Sequence, residues 1–167
     1  RDAADRERQF FRGWQRTGRD GVARFDSCFP GWYRGRANHV HLRVMKGDYD
    51  PSDSAQTWAT TQLLFADELN HGIFGGVPLY RDRGQPDTPL DADGVIGQEP
   101  DKSPYLFEVR NVGGVMLASK TLALRDRLDE PVCQAQGMRP PGGPRGVGGP
   151  GGPGGPGGGR GRPPALR

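Results

Sequence analysis

The chain has 167 residues, 28 of them glycine, and a formal net charge of +3 at pH 7. This length suits one domain and a tail rather than two full domains. Residues 137–167 hold 14 of the glycines, five arginines and no acidic residue, which leaves the remaining body near −2. The body shows no basic stripe interleaved with aromatics, so nucleic acid is not an expected partner. No apolar run approaches the roughly 18 residues that a membrane span needs.

Short apolar or alternating runs separated by turn residues dominate the body. The runs, taken as predicted strands, are residues 9–17, 22–29, 39–45, 61–65, 105–109 and 115–124. Turn signals lie at residues 18–21, 46–48, 93–94 and 111–114. Short strands separated by turns predict a mainly β fold, specifically an antiparallel β-sandwich. Helix is expected only for residues 66–71, ended by Gly72, and for the first few residues.

The segment 79–102 is long and rich in Asp, Pro and Gly. Loops of this length are usually functional or mobile, so it is interpreted either as a rim or lid beside a site or as a plain surface excursion. Its acidic residues lack the spacing of a calcium loop and are expected to be solvated: Asp87, Asp91, Asp93, Glu99 and Asp101. His71 is interpreted as lying at a helix end.

The composition changes abruptly after about residue 130. We therefore divide the chain into a body, residues 1–130, and a low-complexity tail, residues 131–167. The tail has too few apolar side chains to offset its ordering entropy and is expected to be disordered. It has no sustained Gly-X-Y repeat, which excludes a collagen-like assembly.

Two cysteines, Cys28 and Cys133, are too few for a multi-thiol zinc site or a disulfide scaffold. Either they form one bridge, which would favour a location outside the cytosol, or they are two unrelated buried thiols. The chain opens with Arg1 rather than Met, which suggests a fragment or a processed product. The location and the oligomeric state are left open.

His39 and His41 are two residues apart on a predicted strand, so the pleat sends both imidazoles to one face. Two nitrogen donors in this arrangement can share one metal ion. By itself, a His-x-His pair is more often two surface or hydrogen-bonded histidines.

The residues before this pair favour a metal. Pro30-Gly31 is a rigid turn, and Gly35 lets the chain reverse so that Tyr33 can return toward the histidines. A strongly charged cation can bind a tyrosine as its phenolate, and this hard donor suits a trivalent ion better than zinc. Tyrosine with two histidines therefore selects Fe(III). The competing interpretation is a tyrosine that packs at a sandwich corner.

The run PGWYRGRANHVH resembles the P-G-x-Y, R-x-x-H-x-H motif of the intradiol ring-cleavage dioxygenases, and in particular their single-domain, extracellular-type branch. The preceding FFRGWQRTGRDGVARF and the later TQLLF are similar to segments that flank this motif in the family. The resemblance covers residues 10–65 well and the rest of the body loosely.

The resemblance implies that Tyr33, His39 and His41 bind Fe(III). It implies that Arg36 stabilises the charge on a bound catecholate, as a fixed planar cation can, and that Gln62 lines the site. The implied reaction belongs to aromatic catabolism. A catechol displaces Tyr33, dioxygen attacks the ring, and cleavage between the hydroxyl-bearing carbons gives a muconate-type dicarboxylate.

The family has a second tyrosine ligand upstream of this region, but no tyrosine precedes Tyr33 here. We expect it upstream of Arg1; the alternative is a catalytically degenerate sandwich that serves as a binding module. A zinc or copper site on His39 and His41 is a weaker hypothesis, because it leaves Tyr33 and Arg36 without a role.

Overall fold

The computed structural model describes residues 11–47, 57–127, 129–130 and 135. Strands β1 (His39–Met45) and β2 (Thr57–Leu64) form one antiparallel pair, and β3 (Glu108–Val112) and β4 (Val115–Ser119) form another. The helices are α1 (Asp67–Gly76) and α2 (Pro78–Arg81), with 3-10 turns at Leu90–Ala92 and Ser103–Tyr105. The described part of the chain consists mainly of small sheets with few helices, consistent with the predicted mainly β fold. The β-sandwich remains a prediction.

Strand β1 has the bounds that the sequence predicts. In its register with β2, His39 lies opposite Leu64 and His41 lies opposite Gln62. Directly opposed residues of an antiparallel pair share a face of the sheet, so both histidines and Gln62 lie on one side. The register shifts between Val44 and Met45, far from the histidines.

The two expected strands before β1 are not strands over their described residues, from 11 to 17 and from 22 to 29. A strand needs pairing with a neighbouring strand, and neither run belongs to a sheet among the described residues. Three of their aromatics are largely exposed: Phe11, Trp14 and Phe25 at 81%, 55% and 54%. The turn between the runs is present, with the Gly21 N–H donating to the Gly18 carbonyl at 3.0 Å.

Helix α1 is longer than predicted, because its apolar face continues through Phe74, which is 1% exposed. Gly72 therefore lies inside the helix, and the interpretation of His71 as a helix end is wrong. The helix stops at Val77 (φ −85°, ψ 119°), because the residue before a proline avoids the helical region.

Two apolar clusters lie on opposite faces of the β1–β2 sheet. Leu64, on the histidine face, packs with Ala37, Ile96 and Ala135. On the other face, Val40 packs against an aromatic cluster that consists of Phe29, Phe65 and Phe74. The rings of Phe29 and Phe65 are 4.6 Å apart, and each fully buried phenylalanine contributes about 1.5–3 kcal/mol.

The β3–β4 hairpin turns on Gly113 and Gly114, whose φ angles of 60° and 85° match a turn with two left-handed residues. The predicted strand at 105–109 starts later, at residue 108, because Tyr105 ends a 3-10 turn. A parallel bridge between Leu64 and Leu106 connects the hairpin to β2.

Some expectations fall on residues that the structure does not describe. These are the first ten residues, Cys133, and the tail apart from Ala135, which is buried at 3% exposure. Cys28 is exposed and forms no disulfide with a described residue, so the expectation of a buried thiol is wrong for Cys28; a bridge to Cys133, outside the described residues, stays a prediction. Among the described helices, none combines the length and apolar character that crossing a bilayer requires.

Substitution of Gly97 by alanine should destabilise the fold. A Cβ at Gly97 would lie 2.5 Å from the carbonyl oxygen of Asp93 and 2.7 Å from that of Asp91, so the loop backbone must shift. We expect a loss of about 1–3 kcal/mol, as for other overpacked sites, measured by denaturant unfolding. Gly94→Ala is the matched control, since its Cβ meets nothing within 4 Å; equal losses in both variants would contradict the steric explanation.

Candidate metal centre

The turn before β1 brings Tyr33 back to the histidines. Gly35 takes the left-handed conformation (φ +82°), as the sequence predicts, and its N–H donates to Asp87 Oδ1 at 3.2 Å. This reversal places the Tyr33 hydroxyl 3.1 Å from Nε2 of His39. Tyr33 is 50% exposed, so its ring is held at one end and open to solvent elsewhere.

The imidazoles of His39 and His41 approach each other through their Nε2 atoms. Nε2 of His39 and Nε2 of His41 are 3.1 Å apart. On the other side of its ring, His39 donates Nδ1–H to the Ala37 carbonyl at 2.6 Å. This bond fixes the tautomer and leaves Nε2 with a lone pair, the arrangement typical of metal-binding histidines.

Two groups therefore face one lone pair. A neutral imidazole nitrogen offers a single acceptor site, yet both Tyr33 Oη and His41 Nε2 lie 3.1 Å from His39 Nε2. Ligands bound to a metal at about 2.1 Å, at angles between square and tetrahedral, lie roughly 3.0–3.4 Å from one another. The two observed distances fit donors that share one cation.

The donor set is two imidazoles and one phenol. No group of three or more His, Cys, Asp or Glu side chains suited to a metal occurs in the described part of the chain; the third side chain that meets the two imidazoles is Tyr33. Phenolate is a hard anionic ligand, and it favours a trivalent ion over zinc or Cu(I). The residues present thus fit Fe(III) as three of its ligands.

Burial favours the neutral form of both histidines. It lowers the pKa of His39 below the usual 6.5, against the opposing effect of the Ala37 hydrogen bond, and the positive charge of Arg36 lowers it further. Burial and Arg36 also lower the pKa of His41. Neutral imidazole is the form that coordinates a metal, so these shifts favour metal binding at neutral pH.

Arg36 lies beside this cluster, held on two sides. Its Nε donates to Asp93 Oδ2 at 2.9 Å, and its Nη2 donates to the Gln62 side-chain oxygen. Gln62 faces His41 across the strand register. The structure therefore brings together all five residues singled out by the sequence: Tyr33, Arg36, His39, His41 and Gln62.

Asp93 was expected to be a solvated loop residue, and this is wrong. Its side chain is fully buried. Besides Arg36, it accepts hydrogen bonds from the backbone N–H of Ala37, Val95 and Ile96 at 2.8–3.1 Å. Burial alone would raise the pKa of Asp93, but these donors outweigh it and hold the pKa below 3.8. The only sequence signal for this residue was the Asp93-Gly94 turn.

The loop that carries Asp93 packs against the tyrosine turn at several further points. The Trp32 indole N–H donates to the Gly84 carbonyl at 2.9 Å, and Arg83 Nε donates to the Trp32 carbonyl at 3.0 Å. Arg34 and Asp87 form an ion pair of 3.6 Å. Of the two interpretations of residues 79–102, the contacts favour a rim beside the site.

A buried pair of amides, which no sequence motif indicated, holds the turn to the helix. Asn38 Nδ2 donates to the Pro30 carbonyl and to Asn70 Oδ1, each at 3.1 Å. Asn70 in turn donates to the Phe65 carbonyl at 3.1 Å, and both amides are 2% exposed. Buried amides are usually fully paired; the position of Asn38 between Arg36 and His39 was the available signal.

Comparisons with family models, with curated proteins and with solved structures gave no match for this chain.

Acidification should weaken the fold in two separate pH windows. The folded state resists protonation of His39 and His41, whereas the unfolded chain accepts it, so stability falls as the pH drops below 6.5. The contribution of Asp93, whose pKa is depressed, is present above 3.8 and is lost only as the pH falls below that value.

A His39→Asn variant should show a shallower decline of the unfolding free energy just below pH 6.5, because it removes the more buried of the two imidazoles. Denaturant unfolding at a series of pH values measures the slope. Identical slopes for the variant and the parent chain would contradict the assignment of this window to His39.

Proposed function

We propose that this chain holds a ferric ion through Tyr33, His39 and His41 and acts on catechol-type diols with dioxygen, as an intradiol ring-cleavage dioxygenase. The observation that carries the proposal is the placement of Tyr33 Oη and His41 Nε2, both 3.1 Å from His39 Nε2. The proposal includes the β-sandwich, of which the two small described sheets would form part.

The donor chemistry argues for iron over zinc or copper. A site that used His39 and His41 alone would not need the phenol, yet the Gly35 reversal delivers it to the same nitrogen. When bound, Fe(III) would supply a Lewis acid for both catechol oxygens and the electronic coupling that lets dioxygen attack the ring.

The three donors divide into fixed and movable groups. His39 is 8% exposed and its ring is pinned by Ala37, whereas Tyr33 is 50% exposed. A half-exposed phenol can swing into solvent without leaving a buried cavity. Tyr33 is therefore the donor that an incoming diol displaces, and it can take up a proton as it leaves.

Arg36 supplies the compensating charge. Its guanidinium is permanently protonated, and its side chain is 18% exposed, so the charge acts through a partly dry environment rather than bulk water. A fixed cation beside a bound dianion stabilises the charge that develops as the ring is attacked. Gln62, which accepts from Nη2, orients the plane of the guanidinium.

Ferric iron added to the protein should produce a visible absorption band from phenolate-to-iron charge transfer. Tyr33→Phe should abolish the band that originates from this ligand, because no phenolate oxygen remains at the cluster. Tyr80→Phe is the matched control, since Tyr80 donates instead to the Phe29 carbonyl at 3.0 Å. A colourless, iron-free protein after reconstitution would exclude the enzyme and favour a binding module that kept only the fold.

Arg36→Gln should lower the turnover of catechol roughly 10²–10³-fold, the loss typical for one removed charge-stabilising donor. Iron content, measured on the same samples, should change little because Arg36 is not a ligand. Oxygen uptake and the absorbance of the muconate-type product measure the rate. An unchanged rate in an iron-loaded variant would remove Arg36 from the chemistry.

A further inference from the structure

We propose that Asp93 is a positioning residue: its carboxylate fixes the guanidinium of Arg36 so that one free edge, Nη1, serves an anionic oxygen bound at the Tyr33–His39–His41 cluster. This inference rests on the proposed function, because it assigns Asp93 a role in holding the catecholate. It concerns a residue outside the motif that points to iron.

The carboxylate is anchored by the backbone rather than by Arg36. Oδ2 accepts from the Ala37 N–H at 2.8 Å, and Oδ1 accepts from the N–H groups of Val95 and Ile96 at 2.8 and 3.1 Å. These three donors come from two segments that are more than 50 residues apart in sequence. A fully buried anion with this many partners has a fixed position, so it acts as the support and Arg36 as the group supported.

Arg36 is then constrained along two sides of its planar fork. Nε lies 2.9 Å from Asp93 Oδ2, Nη2 lies 3.5 Å from Asp93 Oδ1, and Nη2 also donates to Gln62. Nη1 makes no hydrogen bond to any described residue. A guanidinium has five N–H donors, so the pair at Nη1 remains available to a ligand.

The same anchor reaches the metal ligands. Asp93 holds Ala37 through its N–H, and the Ala37 carbonyl accepts from Nδ1 of His39 at 2.6 Å. Gln62, the second partner of Arg36, faces His41 in the strand register. One carboxylate thereby fixes the guanidinium and supports the residue that orients a ligand imidazole, within a single network.

The first measurement uses the metal-free protein and requires no iron chemistry. In ¹H–¹⁵N spectra, the Nε–H of Arg36 should be visible and protected from solvent exchange in the parent chain. Asp93→Asn should remove that protection. Asp91→Asn is the matched control, because Asp91 is two residues away in the same loop and its side chain is 90% exposed.

The second measurement uses ferric-loaded protein and 4-nitrocatechol, a chromophoric diol, as the probe. Asp93→Asn should weaken probe binding roughly 10–100-fold, the usual loss when a residue that hydrogen-bonds and orients a binding residue is removed. The Tyr33 charge-transfer band should persist in the variant before the probe is added. If Asp93 had a purely structural role, its loss would weaken the Tyr33 charge-transfer band together with probe binding.

Two further variants guard against misfolding of Asp93→Asn. Arg36→Lys keeps the positive charge and leaves Asp93 with its backbone donors, but it lacks the planar fork, so probe binding should weaken to a similar extent. In samples matched for iron content, combining Arg36→Gln with Asp93→Asn should weaken the probe no further than Arg36→Gln alone, within about twofold. The effect of Asp93 on the diol passes through Arg36, whereas its support of His39 through Ala37 acts on the iron content.

The outcomes separate the two proposals. An unprotected Arg36 Nε–H in the parent chain, or equal probe affinities for Asp93→Asn and Asp91→Asn, overturns the positioning role while leaving the ferric site intact. An additive loss in the double variant also overturns it. A parent chain that takes up no iron overturns the proposed function and the catecholate role of Asp93 together, even where the Nε–H is protected.

Discussion

The hydrogen bonds to the buried carboxylate of Asp93 hold the site together. They join a loop to the segment before β1 across more than 50 residues of sequence, and they satisfy a charge that would otherwise be costly to bury. Asp93 also forms an ion pair with Arg36, and removing one partner of a buried ion pair typically costs about 3–5 kcal/mol of stability. The positions of Arg36 and Ala37, and through Ala37 the ring of His39, depend on this contact.

The local geometry of the candidate site was predictable from sequence because it depends on short-range rules. The alternation of a strand places His39 and His41 on one face, and a glycine with positive φ at Gly35 returns Tyr33 to them. Gln62 was expected only from the resemblance to the dioxygenases, and the register between β1 and β2 sets it opposite His41. Each step needs only neighbouring residues or one strand pair, and the structure brings the residues together accordingly.

Long-range partners were not predictable in this way. The Asp93-Gly94 turn is the one local feature that sets Asp93 apart from the exposed Asp91, and it does not predict burial, because burial depends on which backbone N–H groups the folded loop presents. The amides of Asn38 and Asn70 likewise meet only after helix α1 packs against the turn. The runs at 11–17 and 22–29 have strand-like composition, but a strand also requires a hydrogen-bonded neighbour, which single-sequence patterns do not reveal.

The three side chains proposed to bind the ion differ in exposure, and this difference would separate how tightly the ion is held from how fast it exchanges with solvent. His39 is 8% exposed and braced by the Ala37 carbonyl, while Tyr33 stands half in solvent. Under the proposal, an ion that approaches from solvent would meet the exposed donors before the buried imidazole and would leave past them. In the proposed ferric site, the buried His39 would therefore set how strongly the ion is retained, and the exposed Tyr33 would set how quickly a chelator or a competing anion reaches it.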